Sequence, residues 1–109
     1  MLSENEFILY GISKQSYKFT VYPISVKLPS NYAGLYVYIN YISNERKLIY
    51  GGKSIDIPRR HEEHKKDTMI TNKSTHIGVC YSIDFCSLEK HETDLLEGND
   101  FELNIQHNQ

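Results

Sequence analysis

The sequence predicts a single small α+β domain: a mainly antiparallel three-stranded sheet flanked by helices, with a short N-terminal extension. Three observations carry this. The chain has 109 residues, room for one modest core. Two segments alternate with a strand's period of two. In 33–41, Leu35, Val37 and Ile39 oppose Tyr36, Tyr38 and Asn40; in 76–86, Ile77, Val79, Tyr81, Ile83 and Phe85 oppose Cys80, Ser82, Asp84 and Cys86. Helix-start signals then follow: Asp56 as N-cap with Pro58 in the first turn, and Ser87 with Glu89 behind it.

Taken in order, residues 1–7 are polar and read as frayed or as a short helix. Residues 8–27 alternate weakly. Phe19, Val21 and Ile24 have strand character, and Pro23 demotes that strand to an edge or breaks it. Leu28-Pro29-Ser30-Asn31 is turn chemistry. Residues 1–31 are therefore expected as an extension packed on a domain spanning 32–109. Residues 33–41 and 47–51 form a hairpin, with the aliphatic face on the core and the tyrosine face on a cleft or second layer. A helix should run from about Ile57 to Lys66, with Ile57, Arg60, His61 and His64 on one face and Glu62, Glu63 and Lys66 on the other. A polar loop occupies 67–75. After the third strand a second helix carries Leu88, Leu95 and Leu96, and Gly98 weakens or ends it. The tail from Leu103 is polar.

Composition narrows the function classes. The formal net charge of −2 counts mildly against a nucleic-acid binder. The charge is uneven, however. Residues 46–73 are rich in Arg and Lys, whereas 89–102 carry six acids against Lys90 alone. One face can meet phosphate while an acidic helix lies elsewhere. No leader and no run of ~20 apolar residues is visible, so the expectation is a cytoplasmic protein with no membrane span. Cys80 and Cys86, if on one strand, stand ~20 Å apart, too far for a disulfide. Five histidines and these two cysteines lack the paired spacing of a zinc site.

The residues with chemical potential are Tyr36, Tyr50, Lys53, Arg60, His64 and Glu97. Taken singly each has an ordinary explanation: packed sheet tyrosines, an ion-paired arginine, a surface histidine, a solvated acid. Taken together they suit phosphodiester hydrolysis. That reaction needs an activated water, a cation against the charge on phosphorus and help for the leaving oxygen. Arg60 offers a planar fork that matches phosphate oxygens. Glu97 offers a hard oxygen ligand for Mg²⁺, with Glu92 and Glu102 as competitors for that role. Tyr36 and Tyr50 can orient or deprotonate water. Lys53 and His64 can supply the positive charge a tyrosine base needs, or His64 can shuttle the proton.

The order strand, strand, helix, strand, helix, with Gly34-Leu35-Tyr36, Tyr50-Gly51-Gly52, Arg60 ten positions on and His64 four further, resembles the GIY-YIG nuclease domain. The likeness covers about residues 33–109. Gly51 stands where that family has a branched aliphatic residue, and Gln106 where it often has proline. The resemblance implies a tyrosine near the attacking water, Arg60 on phosphate and Glu97 on a single Mg²⁺ or Mn²⁺. It implies a DNA endonuclease of bacterial, phage or mobile-element setting, with a homodimer as one route to a double-strand cut. Arg59, Lys65, Lys66 and Asn108 are the expected DNA contacts. The rival expectation is a nuclease-fold module that binds DNA or a protein without cutting.

Overall fold

A computed structural model describes residues 5–28, 33–42, 45–81 and 87–107. The elements run β1 (Glu6–Tyr10), β2 (Ser16–Pro23), β3 (Gly34–Ile42), β4 (Glu45–Ser54), α1 (Ile57–His64), α2 (Thr68–Thr71), β5 (His76–Tyr81), α3 (Leu88–Glu97) and α4 (Glu102–His107). The strands form one five-stranded antiparallel sheet in the order β1-β2-β5-β3-β4, curled into a half-barrel.

This corrects the expected three-stranded sheet flanked by helices. The segment expected as an extension supplies two strands of the sheet itself. β2 pairs with β5 from Thr20↔Val79 to Pro23↔His76, so it lies inside the sheet and not at its edge. Pro23 does not break it, because proline is its last residue, where a missing N–H removes little. The alternation in β2 is real: Tyr17, Phe19 and Val21 are buried, and Lys18 is exposed. The polar 67–75 segment contains the one-turn α2, capped by the Asp67 carboxylate accepting from the Met69 N–H. The tail folds as α4. Residues 82–86, where the third strand was expected to continue through Cys86, lie outside the described residues.

Both faces of the sheet are covered. On one face Phe7, Leu9, Tyr17, Phe19, Leu35, Val37 and Ile39 pack against Leu95 of α3 and against Phe101. Gly78 leaves room for the Phe7 ring, which would lie 3.1 Å from an added Cβ. Arg46 of β4 sits 4.2 Å over the same ring, tying the sheet's two edge strands together. On the other face Tyr36, Tyr38, Ile49, Ile77 and Val79 pack beneath Ile57 of α1, Ile70 of α2 and Leu103 of α4. The tyrosine face of β3 thus meets a helical second layer. Burial of this kind stabilises by about 25 cal/mol per Å² of apolar surface.

Two local features set the site. Gly34 has φ +157°, and a Cβ there would run into the Cys80 carbonyl, so only glycine opens β3 this close to β5. At the other end of β3 the pairing with β4 shifts between Tyr38 and Ile39: Tyr38 faces Tyr50, and Ile39 faces Leu48. Ile49 is the extra residue of this bulge, and both Ile49 and Tyr50 pack with the tyrosine-face cluster.

Candidate active site

Residues two apart on a strand and three or four apart on a helix share a face. β3 therefore presents Tyr36 and Tyr38 to His64 and His61 of α1 as two stacked pairs. The Tyr38 hydroxyl lies 2.8 Å from His61 Nδ1, and His61 Nε2 lies 3.0 Å from the Ile24 carbonyl. A carbonyl only accepts, so Nε2 carries the proton and Nδ1 accepts from Tyr38. Both groups are then satisfied, and this pair is structural.

The outer pair differs. The Tyr36 hydroxyl lies 3.0 Å from His64 Nε2, with the Arg60 cation near enough to act on it. Which of the two groups donates is set by the imidazole tautomer. Burial, reinforced by the neighbouring Tyr50 and opposed by Arg60, pushes the Tyr36 pKa up to about 12. Burial and the Arg60 cation push His64 down to about 4, so the imidazole is neutral at pH 7. Tyr36 is 2% exposed. Its position depends on Gly52, directly opposite in β4, where a Cβ would stand 2.7 Å from the phenol oxygen.

A cleft of about 190 Å³ opens beside this pair. Tyr50, Met69, Ile70 and Leu103 line it together with the polar Arg60, His64 and Asp67. The Tyr50 ring lies 6.4 Å from that of Tyr36 and 5.4 Å from that of His64. Arg60 also donates to Glu63 at 2.9 Å on the exposed side of α1, which holds its cation raised. Tyr36, Tyr50, Arg60 and His64, expected together, are brought together.

Lys53 and Glu97 are placed differently. Lys53 pairs across the sheet with Leu35, on the α3 side of β4, and its ammonium lies 3.5 Å from Glu92. Glu92 is the carboxylate whose charge bears on Tyr36. Glu97 is exposed and lines a separate cleft with Tyr17, His91 and Asp94. The helix geometry explains this: five residues advance the direction by about 140°. Glu92 points within about 60° of Leu88 and Leu95, which are buried, whereas Glu97 points opposite Leu88. That signal was present in the spacing of the leucines.

The cleft around Glu97 is explained by packing. The Tyr17 hydroxyl donates to Asp94 at 2.7 Å, and Asp94 accepts from the Ser13 N–H and hydroxyl, both at 2.9 Å. These bonds fasten the turn after β1 to α3.

Of the expected DNA contacts, Arg59 lies near Asp56 and Glu63 at 3.9 and 4.0 Å, and Lys65 pairs with Glu62 at 2.7 Å. Lys66 is exposed. Exposed pairs of this type are worth under ~1 kcal/mol, so a phosphate can replace them. Asn108 lies outside the described residues. Asn104 was not anticipated. Its carboxamide accepts from the Gly51 N–H at 2.7 Å and donates to the Gly51 carbonyl at 3.1 Å, pinning α4 to the edge strand beside Tyr50. Gly51 has no side chain because Phe101 and Leu96 fill that space, at 3.1 and 3.2 Å from an added Cβ.

Among the described residues no three His, Cys, Asp or Glu side chains cluster as a metal cage. A hard divalent ion needs less: one carboxylate, with waters and a substrate oxygen. Glu92, 22% exposed and already holding a cation, fits that demand. No helix among the described residues is long and apolar enough to cross a membrane. No family model matches the chain, and no curated protein or solved structure matches it either.

Proposed function

We propose that the protein is a metal-dependent nuclease that hydrolyses phosphodiester bonds in DNA. One observation supports this above the rest: a buried tyrosine hydroxyl bonded to the neutral imidazole of His64, which lines a cleft together with Arg60. Arg60 holds a non-bridging phosphate oxygen by exchanging Glu63 for substrate. Tyr36 orients the attacking water through its phenol oxygen. His64 accepts the Tyr36 proton as the phenol takes one from water. Glu92, in place of the expected Glu97, holds Mg²⁺ or Mn²⁺. The bound ion supplies charge against the pentacoordinate phosphorus and lowers the pKa of nearby oxygen acids. Lys53, released from Glu92, turns to the substrate. Arg59, Lys65 and Lys66 contact the DNA backbone. One such cleft cuts one strand, so a double-strand cut calls for a homodimer, and the setting is a cytoplasmic one in a bacterium, phage or mobile element.

A second reading, a module that binds DNA or a protein without cutting, draws on the same site. Tyr36 at about 12 and His64 at about 4 are both far from neutrality for proton transfer. A nicking assay on supercoiled plasmid separates the two. Wild type should convert plasmid to open circles with Mg²⁺ and not with chelator. Arg60→Ala and Glu92→Gln should each lower the rate at least 100-fold, and Glu97→Gln less than threefold. A strong loss in Glu97→Gln with Glu92→Gln unaffected refutes the carboxylate assignment. No cutting of duplex, branched or single-stranded DNA by wild type favours the binding module.

A further inference from the structure

The cleft extends beyond what hydrolysis requires. Arg60 and His64 in its lining account for a phosphate, but Met69, Ile70 and Leu103 do not. Met69 is 57% exposed, a large apolar side chain held at the rim by the one-turn α2. We propose that this cleft receives a single unpaired nucleobase. The substrate would then be nucleic acid with at least one unpaired nucleotide beside the bond that is cut.

The lining argues for this occupant by its charge layout. The Arg60 guanidinium and the Asp67 carboxylate share the lining with Tyr50, Met69, Ile70 and Leu103. Asp67 lies close enough to His64 to act on its charge. A second phosphate would be repelled by Asp67. A nucleotide has the matching polarity: its phosphate meets Arg60, its flat ring lies between Tyr50 and Met69, and its N–H groups reach Asp67. Thioether and phenol are adaptable stacking partners for any base. In a duplex those ring faces and N–H groups are already occupied by stacking and pairing, so a paired base gains nothing here. Stacking of this kind is worth about 5- to 150-fold in affinity per base.

This inference rests on reading Arg60 as a phosphodiester contact, and the test keeps the two apart. The probe is an oligonucleotide with 2-aminopurine, either unpaired in a hairpin loop or paired in a duplex. Binding to the full chain is followed in chelator, by base fluorescence and by anisotropy of a distant dye. The loop should bind at least tenfold tighter than the duplex, with the 2-aminopurine signal changing only in the loop. Met69→Glu should weaken loop binding at least fivefold and leave duplex binding within twofold. Asp67→Asn, which keeps the α2 cap, should weaken loop binding as well. Equal affinity for loop and duplex, no binding of either, or equal effects of Met69→Glu on both would overturn the proposal. Loop preference with no cutting of the loop, the duplex or the plasmid in Mg²⁺ would support the subsite and overturn hydrolysis. Nicking without loop preference would do the reverse.

Discussion

His64 should make this protein sensitive to mild acid. Its ring is 7% exposed. Burial and then Arg60 hold its pKa at about 4, with Asp67 and Glu63 opposing and His61 adding to the depression. In the unfolded chain the ring titrates near its ordinary ~6.5. Above that pH both states are neutral and the full stability is present. As pH falls below ~6.5, the unfolded state takes up a proton that the native state refuses. Stability is therefore lost from about pH 6.5 down to about 4 and then levels. The gap of about 2.5 pH units corresponds to about 3 kcal/mol, a large part of the 5–15 kcal/mol typical of a domain. Burial also depresses His61, which adds to the loss in the same window. Urea unfolding between pH 7.5 and 4, followed by circular dichroism, measures this directly. His64→Gln keeps a hydrogen-bonding group and cannot titrate. It should be less stable than wild type at pH 7.5 and lose about 3 kcal/mol less on acidification. Parallel pH curves for wild type and His64→Gln would refute the reasoning.

Two further outcomes follow from the geometry around the tyrosines. Gly52→Ala should displace the Tyr36 ring, because the new Cβ would lie 2.7 Å from its oxygen and 2.9 Å from Cζ. Overpacking of this kind costs about 1–3 kcal/mol, and nicking should fall at least tenfold while circular dichroism keeps the native signature. Asn104→Ala should leave the Gly51 N–H and carbonyl without their carboxamide. An unmet bond in a partly buried setting costs about 1–3 kcal/mol. Thermal unfolding should record that loss, and hydrogen exchange should quicken at Gly51 before the β3–β5 centre of the sheet.

Much of the centre of this protein was determined by local sequence. The alternation of Leu35, Val37 and Ile39 with Tyr36 and Tyr38 dictates two unlike faces, because a strand has no other way to arrange them. Asp56 and Pro58 start α1 where expected, since capping is a contact between near neighbours. The spacing of Ile57, His61 and His64 sets them on one inward face, and Arg60 at its rim follows from the same period. Tertiary structure decided the rest. β1 and β2 are strands because β5 offers β2 a partner about sixty residues away in sequence. Such pairing is invisible to local pattern when alternation is weak and a proline sits nearby. The placement of Asn104 against Gly51, and of Phe101 in the space Gly51 leaves, required α4 to fold back on an edge strand. Six acids lie on or near α3; the leucine spacing separates Glu92 from Glu97, and docking on the sheet sets Glu92 against Lys53. The buried leucines turn Glu92 towards Lys53 on the α3 side of β4 and Glu97 away from it.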